Sequence, residues 1–289
     1  MSQRPKTTVL TLQEKRRQGQ PITMLTAHDY PTARALEAAG VDAILVGDSL
    51  AMVALGHPDT LSVTMDEMLH HARAVSRGAS LPLLVGDMPF MSYQASVEQA
   101  VRNAGRFLQE AGMDAVKMEG GRPFADTVKA IVRAGIPVQG HIGLRPQSVK
   151  ELGGFRVQGK TAESARTLVE DAFALEDAGC FSIVLEAMPE RLASYITERL
   201  EIPTIGIGAG PGTSGQVLVT ADVLGLYDEL QPRFARRYAS LGQTTLSALA
   251  AFRQDVEARA FPTREHAYAM PAEEWDSFLA SLPTRRAAG

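Results

Sequence analysis

Ionisable residues follow short apolar runs at five successive places along this chain of 289 residues. In chain order they are Asp48, Asp87, Lys117 with Glu119, His141 and Glu186. Two aspartates with a nearby glutamate form a set of hard oxygen donors that suits Mg²⁺, which leaves several coordination positions to water and substrate. A 2-oxo acid suits those positions through its keto oxygen and one carboxylate oxygen, and the metal then stabilises an enolate as a Lewis acid. The pattern therefore predicts a Mg²⁺ site at Asp48 and Asp87 with a nearby glutamate.

Removing a proton beside a ketone also needs a base. Glu186 is the candidate, since it stands next to the apolar residues Leu185, Ala187 and Met188. The residue types disfavour zinc, because the histidines show no paired ligand spacing and the single cysteine, Cys180, stands at a strand start. A lone aspartate after a strand is more often a helix cap or a solvated loop charge, but five such positions in succession favour a common site.

A recurring sequence pattern identifies the elements that must position these residues. In this pattern an apolar helix is followed by Ala-Gly and then by a short apolar strand. The Ala-Gly of this pattern occurs at residues 39–40, 111–112, 134–135 and 178–179, with Arg77-Gly78-Ala79 as a variant. The glycine is expected to end each helix in the left-handed conformation. Near-continuous apolar strands are typical of parallel sheets that are buried on both faces.

Eight strands are predicted, near residues 22–26, 43–47, 82–86, 114–118, 137–140, 182–185, 203–207 and 216–219. Helices are predicted over 31–39, 64–77, 96–110, 123–134, 162–177 and 189–199. Capping boxes at Thr64 with Glu67 and at Ser96 with Gln99 open two of them. Eight alternating units favour a closed (β/α)8 TIM barrel over an open parallel sheet. Active sites of such barrels lie at the C-terminal ends of the strands, which is where the ionisable residues fall.

The sequence predicts a single domain over residues 1–289. The barrel is expected at about 22–225, after an N-terminal helix at about 8–18 and before a C-terminal helical extension at about 232–270. The length by itself also allows two average domains, but no low-complexity linker divides the chain.

Composition excludes several classes of protein. With 29 basic and 33 acidic side chains the formal net charge is −4, which offers no basic field for nucleic acid. One cysteine excludes an internal disulfide framework, and the apolar runs are far shorter than the ~20 residues of a membrane helix. We therefore expect a soluble, cytoplasmic protein. The glycine-rich segment 206–212 lacks the βαβ half of a dinucleotide site, so we interpret it as a rim for a flat ligand.

Taken together, these segments resemble the ketopantoate hydroxymethyltransferase family, also called 3-methyl-2-oxobutanoate hydroxymethyltransferases. The matching segments run in order along most of the chain. They include Thr26-Ala-His-Asp-Tyr30, Val46-Gly-Asp-Ser-Leu50, Asp87-Met-Pro-Phe90, Lys117-Met-Glu-Gly-Gly121, Gly140-His-Ile-Gly-Leu144, Pro146-Gln-Ser148, Leu185-Glu186, Ile205-Gly-Ile-Gly-Ala-Gly210 and Gly215-Gln-Val-Leu-Val219.

The resemblance implies a barrel that assembles as a homodecamer of two stacked pentamers. It also implies transfer of a one-carbon unit from 5,10-methylenetetrahydrofolate to 3-methyl-2-oxobutanoate, which gives 2-dehydropantoate in pantothenate biosynthesis. By the same resemblance Asp48 and Asp87 are Mg²⁺ ligands with Glu119 nearby, and Glu186 is the base. The residues that match those binding the oxo acid are Asp48, Ser49, Asp87, Lys117 and His141.

Two alternatives remain open on the sequence. The phosphoenolpyruvate mutase and isocitrate lyase group also binds Mg²⁺ and 2-oxo acids at a barrel mouth, but the Lys-Lys-Cys-Gly-His segment of its lyases is absent here. A barrel that binds ligand without turnover is disfavoured, because all the expected chemical groups are present. Four positions depart from the family pattern: His28, Ala51, Arg145 and Ser214. Of these, Arg145 and Ser214 are expected near the folate.

Overall fold

Eight parallel strands close into a barrel in the computed structural model, which describes residues 4–226 and 232–283. Each strand pairs with its neighbours in chain order, and β8 pairs with β1 to complete the ring. The strands are β1 (Ile22–Thr26), β2 (Ala43–Val46), β3 (Leu83–Asp87), β4 (Ala115–Glu119), β5 (Val138–Gly143), β6 (Ser182–Glu186), β7 (Thr204–Ile207) and β8 (Gly215–Leu218). The predicted (β/α)8 barrel is confirmed.

Nine α-helices precede, connect and follow the strands within the described residues 4–226. They are α1 (Val9–Arg17), α2 (Tyr30–Ala39), α3 (Leu50–Val53), α4 (Met65–Gly78), α5 (Val97–Ala111), α6 (Ala125–Arg133), α7 (Ala162–Asp177), α8 (Glu190–Arg199) and α9 (Thr220–Leu224). Helices α3 and α9 were not predicted, because four and five residues are too few to show a helical period. Thr64 and Glu67 form the predicted capping box of α4. The second predicted box is wrong: Ser96 accepts a bond from the Gln99 backbone, but the Gln99 side chain does not return it.

Glycine ends the helix at all four Ala-Gly positions, with φ between +67° and +98° at Gly40, Gly112, Gly135 and Gly179. The variant at Gly78 works differently, because this residue is the last of α4 and is not left-handed. A Cβ there would lie 2.7 Å from the Tyr30 carbonyl oxygen, so a side chain would force α2 and α4 apart. Gly78 is therefore explained by close packing of two helices.

The chain forms two compact units, Met1–Ala239 and Ser240–Gly289. The first contains the barrel and α1, which begins after the capping residue Thr8 as the predicted N-terminal helix. The second contains α10 (Leu241–Glu257) and α11 (Ala272–Ser281), so the C-terminal helices reach further than the predicted extension at about 232–270. None of the helices in 4–226 and 232–283 is both long and apolar enough to cross a membrane.

The barrel interior explains why charged residues meet at one end. Apolar side chains fill it near the strand starts, and Leu12 of α1 joins this buried cluster. Alternate residues of a strand point the same way. On β3 the inward residues Leu83 and Val85 are therefore followed by Asp87, and on β6 Val184 is followed by Glu186. The same alternation that fills the core delivers the carboxylates to the C-terminal rim.

A buried carboxylate ties the opposite end of the barrel together. Asp42 Oδ2 accepts hydrogen bonds from the Thr23 backbone and hydroxyl and from Lys15 Nζ at 2.7–2.9 Å, and its Oδ1 lies 3.0 Å from Arg4 Nη2. Burial by itself raises the pKa of Asp42, but the bonds from Lys15 and Thr23 outweigh it and hold the pKa below its ordinary value. Asp42 thus links α1, β1 and the N-terminal segment.

We expect Asp42→Asn to lower the free energy of unfolding by about 1–3 kcal/mol, because charge-assisted bonds are lost and the half-buried Lys15 loses its partner. The folded-state pKa is depressed, so this stabilisation is present above the unfolded value of about 4 and is lost as pH falls through the folded value. Urea unfolding at pH 7 and at pH 3 measures it. An equal difference between variant and native protein at both pH values would contradict the assignment.

Candidate active site

The structure brings all six sequence-selected ionisable residues together at the C-terminal rim. Asp48 follows β2, Asp87 ends β3, Lys117 and Glu119 lie on β4, His141 lies on β5 and Glu186 ends β6. The first five are at most 4% exposed, whereas the side chain of Glu186 is 14% exposed. The cluster is therefore buried, with Glu186 as its most accessible member.

Lys117 is the cation at the centre of this cluster. Its Nζ lies 2.9 Å from Asp87 Oδ1, 3.2 Å from His141 Nδ1 and 3.9 Å from Glu119 Oε1. Burial alone lowers the pKa of Lys117, but the charges of Asp87, Glu119 and Asp48 outweigh it and raise the pKa above its ordinary value. Lys117 is therefore a fixed positive charge and a hydrogen-bond donor at neutral pH.

His141 joins Lys117 to Glu186. Its Nε2 lies 3.1 Å from Glu186 Oε2, and its Nδ1 faces Glu119 Oε1 at 3.5 Å. Burial and Lys117 lower the pKa of His141, whereas Glu119 and Glu186 raise it, with a net rise to about 9. Nε2 carries a proton when the ring is charged, and also when the ring is neutral and Nδ1 accepts from Lys117. The contact at 3.1 Å therefore places a positive or partly positive N–H beside one oxygen of Glu186.

The carboxylates outnumber the cations. Burial and the charges of Asp87 and Glu119 raise the pKa of Asp48 well above its ordinary value. Burial also raises the pKa of Asp87, while Lys117 opposes the rise. The pKa of Glu119 is lowered: His141 and Lys117 outweigh the effect of its burial. A site that holds excess negative charge in a dry environment is suited to a cation.

Two further buried residues belong to the site and were not singled out from the sequence. Gln147, on a short 3₁₀ helix (Pro146–Ser148), donates its side-chain amide to Asp48 Oδ2 at 3.0 Å and its backbone N–H to Glu119 Oε2 at 3.0 Å. The hydroxyl of Tyr93 lies 2.9 Å from Gln147 Oε1. Neither residue follows a strand directly, so a search of strand ends misses both of them.

The two glycines that precede the aspartates have a packing reason. A Cβ on Gly86 would lie 2.4 Å from the ring of Phe107 on α5, so α5 can lie against β3 only because Gly86 has no side chain. A Cβ on Gly47 would lie 3.2 Å from Ser49 Oγ. Gly86 therefore serves the contact between helix and strand.

A small cavity of about 100 Å³ lies among these residues. Its volume corresponds to about three water molecules. Its lining combines the charged groups with the apolar side chains of Leu45, Val184, Val217 and Leu218. The cavity therefore suits a small anion with a branched apolar end.

A wider cleft of about 790 Å³ shares Asp48, Ser49 and Glu186 with the small cavity. It is lined mainly by apolar groups, and Arg156 and Arg233 also reach it. The glycine-rich segment after β7 contributes Gly208 and Gly210 to its wall. The two spaces allow a small and a larger ligand to meet beside Glu186.

The fold and the site together define an enzyme of the (β/α)8-barrel class, with an oxygen-rich charged site at the C-terminal ends of its strands. The family model described as ketopantoate hydroxymethyltransferase matches residues 6–264. A 3-methyl-2-oxobutanoate hydroxymethyltransferase of Syntrophobacter fumaroxidans is 60% identical over 249 residues, which cover 86% of this chain and 88% of that protein. One of Clostridium novyi is 52% identical over 91% of this chain and 96% of its own length. The chain belongs to the ketopantoate hydroxymethyltransferase family.

Solved structures show the same architecture at low sequence identity. A phosphonomutase-like structure from Burkholderia cenocepacia superposes with a TM-score of 0.61 at 16% identity and covers 86% of this chain and all of its own. A phosphonopyruvate hydrolase in complex with oxalate and Mg²⁺ gives a TM-score of 0.57 at 15% identity, covering 95% of each chain. At this identity the likeness concerns the fold alone. The alternative activity of the phosphoenolpyruvate mutase and isocitrate lyase group fits less well than the family activity.

Proposed function

We propose that this enzyme transfers a hydroxymethyl group from 5,10-methylenetetrahydrofolate to 3-methyl-2-oxobutanoate and forms 2-dehydropantoate in pantothenate biosynthesis. The observation that carries the proposal is the meeting of Asp48, Asp87, Lys117 and Glu186 around one small cavity. A new C–C bond forms between C3 of the oxo acid and the one-carbon unit. Water supplies the hydroxyl oxygen, and tetrahydrofolate leaves.

The residues fit a magnesium ion. Within residues 4–226 and 232–283 no three His, Cys, Asp or Glu side chains are arranged as a complete metal-binding group. Mg²⁺ does not need one, because it is usually held by one or two carboxylates and completes its shell with water and substrate. Asp48 and Asp87 would hold it, with Glu119 beside them. The pKa of Asp48 is raised by its burial and then by the negative charges of Asp87 and Glu119, which a cation would offset. When bound, the ion supplies Lewis-acid stabilisation of the enolate oxygen.

The protein side chains divide the remaining work. Lys117 and Ser49 would bind the carboxylate of the oxo acid, and His141 would position Glu186 through the 3.1 Å contact to its Oε2. Glu186 would then take the proton from C3 and create the nucleophilic carbon. The apolar side chains that line the small cavity would accept the two methyl groups and keep water away from that carbon.

The folate would lie in the wider cleft. Its flat pteridine ring needs apolar cover, and Phe155, Val157 and Phe234 line this space. The negatively charged tail needs cations, which Arg156 and Arg233 provide. Among the family departures, Arg145 lies apart from this lining and forms an ion pair with Glu151 at 3.5 Å.

A homodecamer in the cytoplasm, expected from the family resemblance, is also part of the proposal. Apolar residues of α10 lie on one stripe of that helix, at Leu246, Leu249, Phe252 and Val256, and such a stripe needs apolar cover. A light-scattering measurement that returned a monomer would contradict the decamer.

A turnover assay tests the reaction. Purified enzyme with Mg²⁺, the oxo acid and methylenetetrahydrofolate should form 2-dehydropantoate and consume the folate in equal amounts. Replacing the oxo acid by isocitrate should give no cleavage. Cleavage of isocitrate without formation of 2-dehydropantoate would favour the alternative group, and absence of both activities would favour a binding scaffold.

A further inference from the structure

Gln147 uses the whole hydrogen-bonding capacity of its side chain while it is only 4% exposed. Its Nε2 donates to Asp48 Oδ2 at 3.0 Å and to the Met88 carbonyl at 2.9 Å. Its Oε1 faces the Tyr93 hydroxyl at 2.9 Å and accepts from Gln94 Nε2 at 3.3 Å. A free amide has two donor hydrogens and two acceptor lone pairs, so none is left over.

The partners also fix which way the amide points. The Met88 carbonyl oxygen can only accept, and so can Asp48 in the ionised form that holds a cation, so the NH₂ end must face these two groups. The oxygen must face Tyr93 and Gln94. Inverting the amide would place oxygen against oxygen at the Asp48 end, so only one orientation satisfies these neighbours.

We propose that Gln147 is a positioning residue that holds Asp48 and Glu119 in place for the divalent cation, an inference that rests on the proposed function. The side chain fixes Oδ2 of Asp48, while the backbone N–H fixes Oε2 of Glu119. Gln147 thus joins the segments that follow β2 and β3, and the end of β4, to the loop after β5. This one residue sets where the remaining carboxylate oxygens point.

The neutral amide is the chemically suitable group for this role. An arginine or lysine there would cancel charge that the cation needs, and a glutamate would add a fourth carboxylate to a buried group of three. A neutral donor orients a carboxylate and leaves its charge available. Tyr93 supports the arrangement, since its hydroxyl contacts Gln147 Oε1 and also accepts from the Glu119 backbone N–H at 3.2 Å.

The experiment measures metal affinity apart from turnover. Enzyme stripped of metal is titrated with Mn²⁺, and free Mn²⁺ is counted by its electron paramagnetic resonance signal, with Mg²⁺ as competitor. Gln147→Met keeps the length of the side chain and removes both polar atoms. We expect it to weaken Mn²⁺ binding about 10–100-fold, the range found when outer partners of metal ligands are removed. Excess Mg²⁺ should then recover a large part of the lost turnover.

Thr197→Val is the matched control, because it deletes another buried side-chain hydrogen bond, to Thr204 at 2.7 Å, on the outer side of the barrel. It should lower thermal stability and leave Mn²⁺ affinity within about twofold of the native value. If Gln147→Met does not fold, Tyr93→Phe provides the measurement and should weaken Mn²⁺ binding to a smaller extent. If the folded variants bind Mn²⁺ with native affinity, the positioning role of Gln147 is overturned and the metal site still stands. If the native enzyme itself binds no Mn²⁺, the metal site is overturned.

Discussion

Replacing Glu186 by glutamine is expected to slow strongly the exchange of the C3 hydrogen of 3-methyl-2-oxobutanoate with solvent deuterium. Glutamine keeps the shape of the side chain but does not accept the proton. A positioned general base contributes about 10²–10⁴ in rate, so the exchange rate should fall by that factor. Proton nuclear magnetic resonance in D₂O, with Mg²⁺ and without folate, follows the loss of the C3 signal directly.

The geometry gives the reason for choosing Glu186 among four carboxylates. Asp87 and Glu119 face Lys117, and Asp48 is held by Gln147, whereas Glu186 contacts only the neighbouring imidazole among the ionisable groups of the described site. It is also the most exposed of the set, at 14%, so its proton can exchange with solvent between turnovers.

Leaving out the folate separates proton removal from carbon transfer. Glu170→Gln is a suitable control, since this exposed carboxylate pairs with Arg122 on the outside of the barrel. It should exchange at the native rate. Undiminished exchange in Glu186→Gln would remove Glu186 from the role of base and leave the other carboxylates to be tested.

The second large effect concerns Asp87. Treatment of the native enzyme with a chelator should stop both exchange and turnover, and added Mg²⁺ should restore them. Asp87→Asn should not recover at the same Mg²⁺ concentration. Metal assistance is worth several kcal/mol, which corresponds to a loss of about three orders of magnitude in rate.

Two contacts explain why asparagine cannot replace Asp87. Oδ2 of Asp87 accepts the Asp48 backbone N–H at 3.1 Å, and Oδ1 lies 2.9 Å from Lys117 Nζ. Asparagine offers one oxygen for both and carries no charge, so the cation and Lys117 each lose attraction. Asp126→Asn on the exposed start of α6 serves as a control that should keep the native Mg²⁺ requirement. An Asp87→Asn enzyme with native Mg²⁺ dependence would exclude Asp87 as a ligand.

Much of the fold could be predicted because its signals are local. Glycine in the left-handed conformation ends helices at Gly40, Gly112, Gly135 and Gly179 through interactions within a few residues. Buried parallel strands are recognisable in the sequence as apolar runs. The short helices α3 and α9 carry too few residues for a period. The incomplete box at Ser96 shows that a matching residue pair does not guarantee the second bond.

The residues of the candidate site also fall into those that the sequence predicts and those that it does not. Residues at strand ends were predictable, because alternation along a strand and the closed barrel together bring them to one rim. Gln147 and Tyr93 were not, since each comes from a loop or turn whose path is set by contacts distant in sequence: Gln147 Nε2 and Asp48 Oδ2 are separated by 99 residues.

By itself the sequence determined the barrel, the rim that carries the chemistry and the residue types available there. Only the tertiary structure decided which carboxylate faces a cation, which is held by an amide and which stays accessible. Those outcomes depend on distances of about 3 Å between side chains from different strands. Strand order is encoded in local patterns, whereas such distances are fixed only when all the strands and loops pack together.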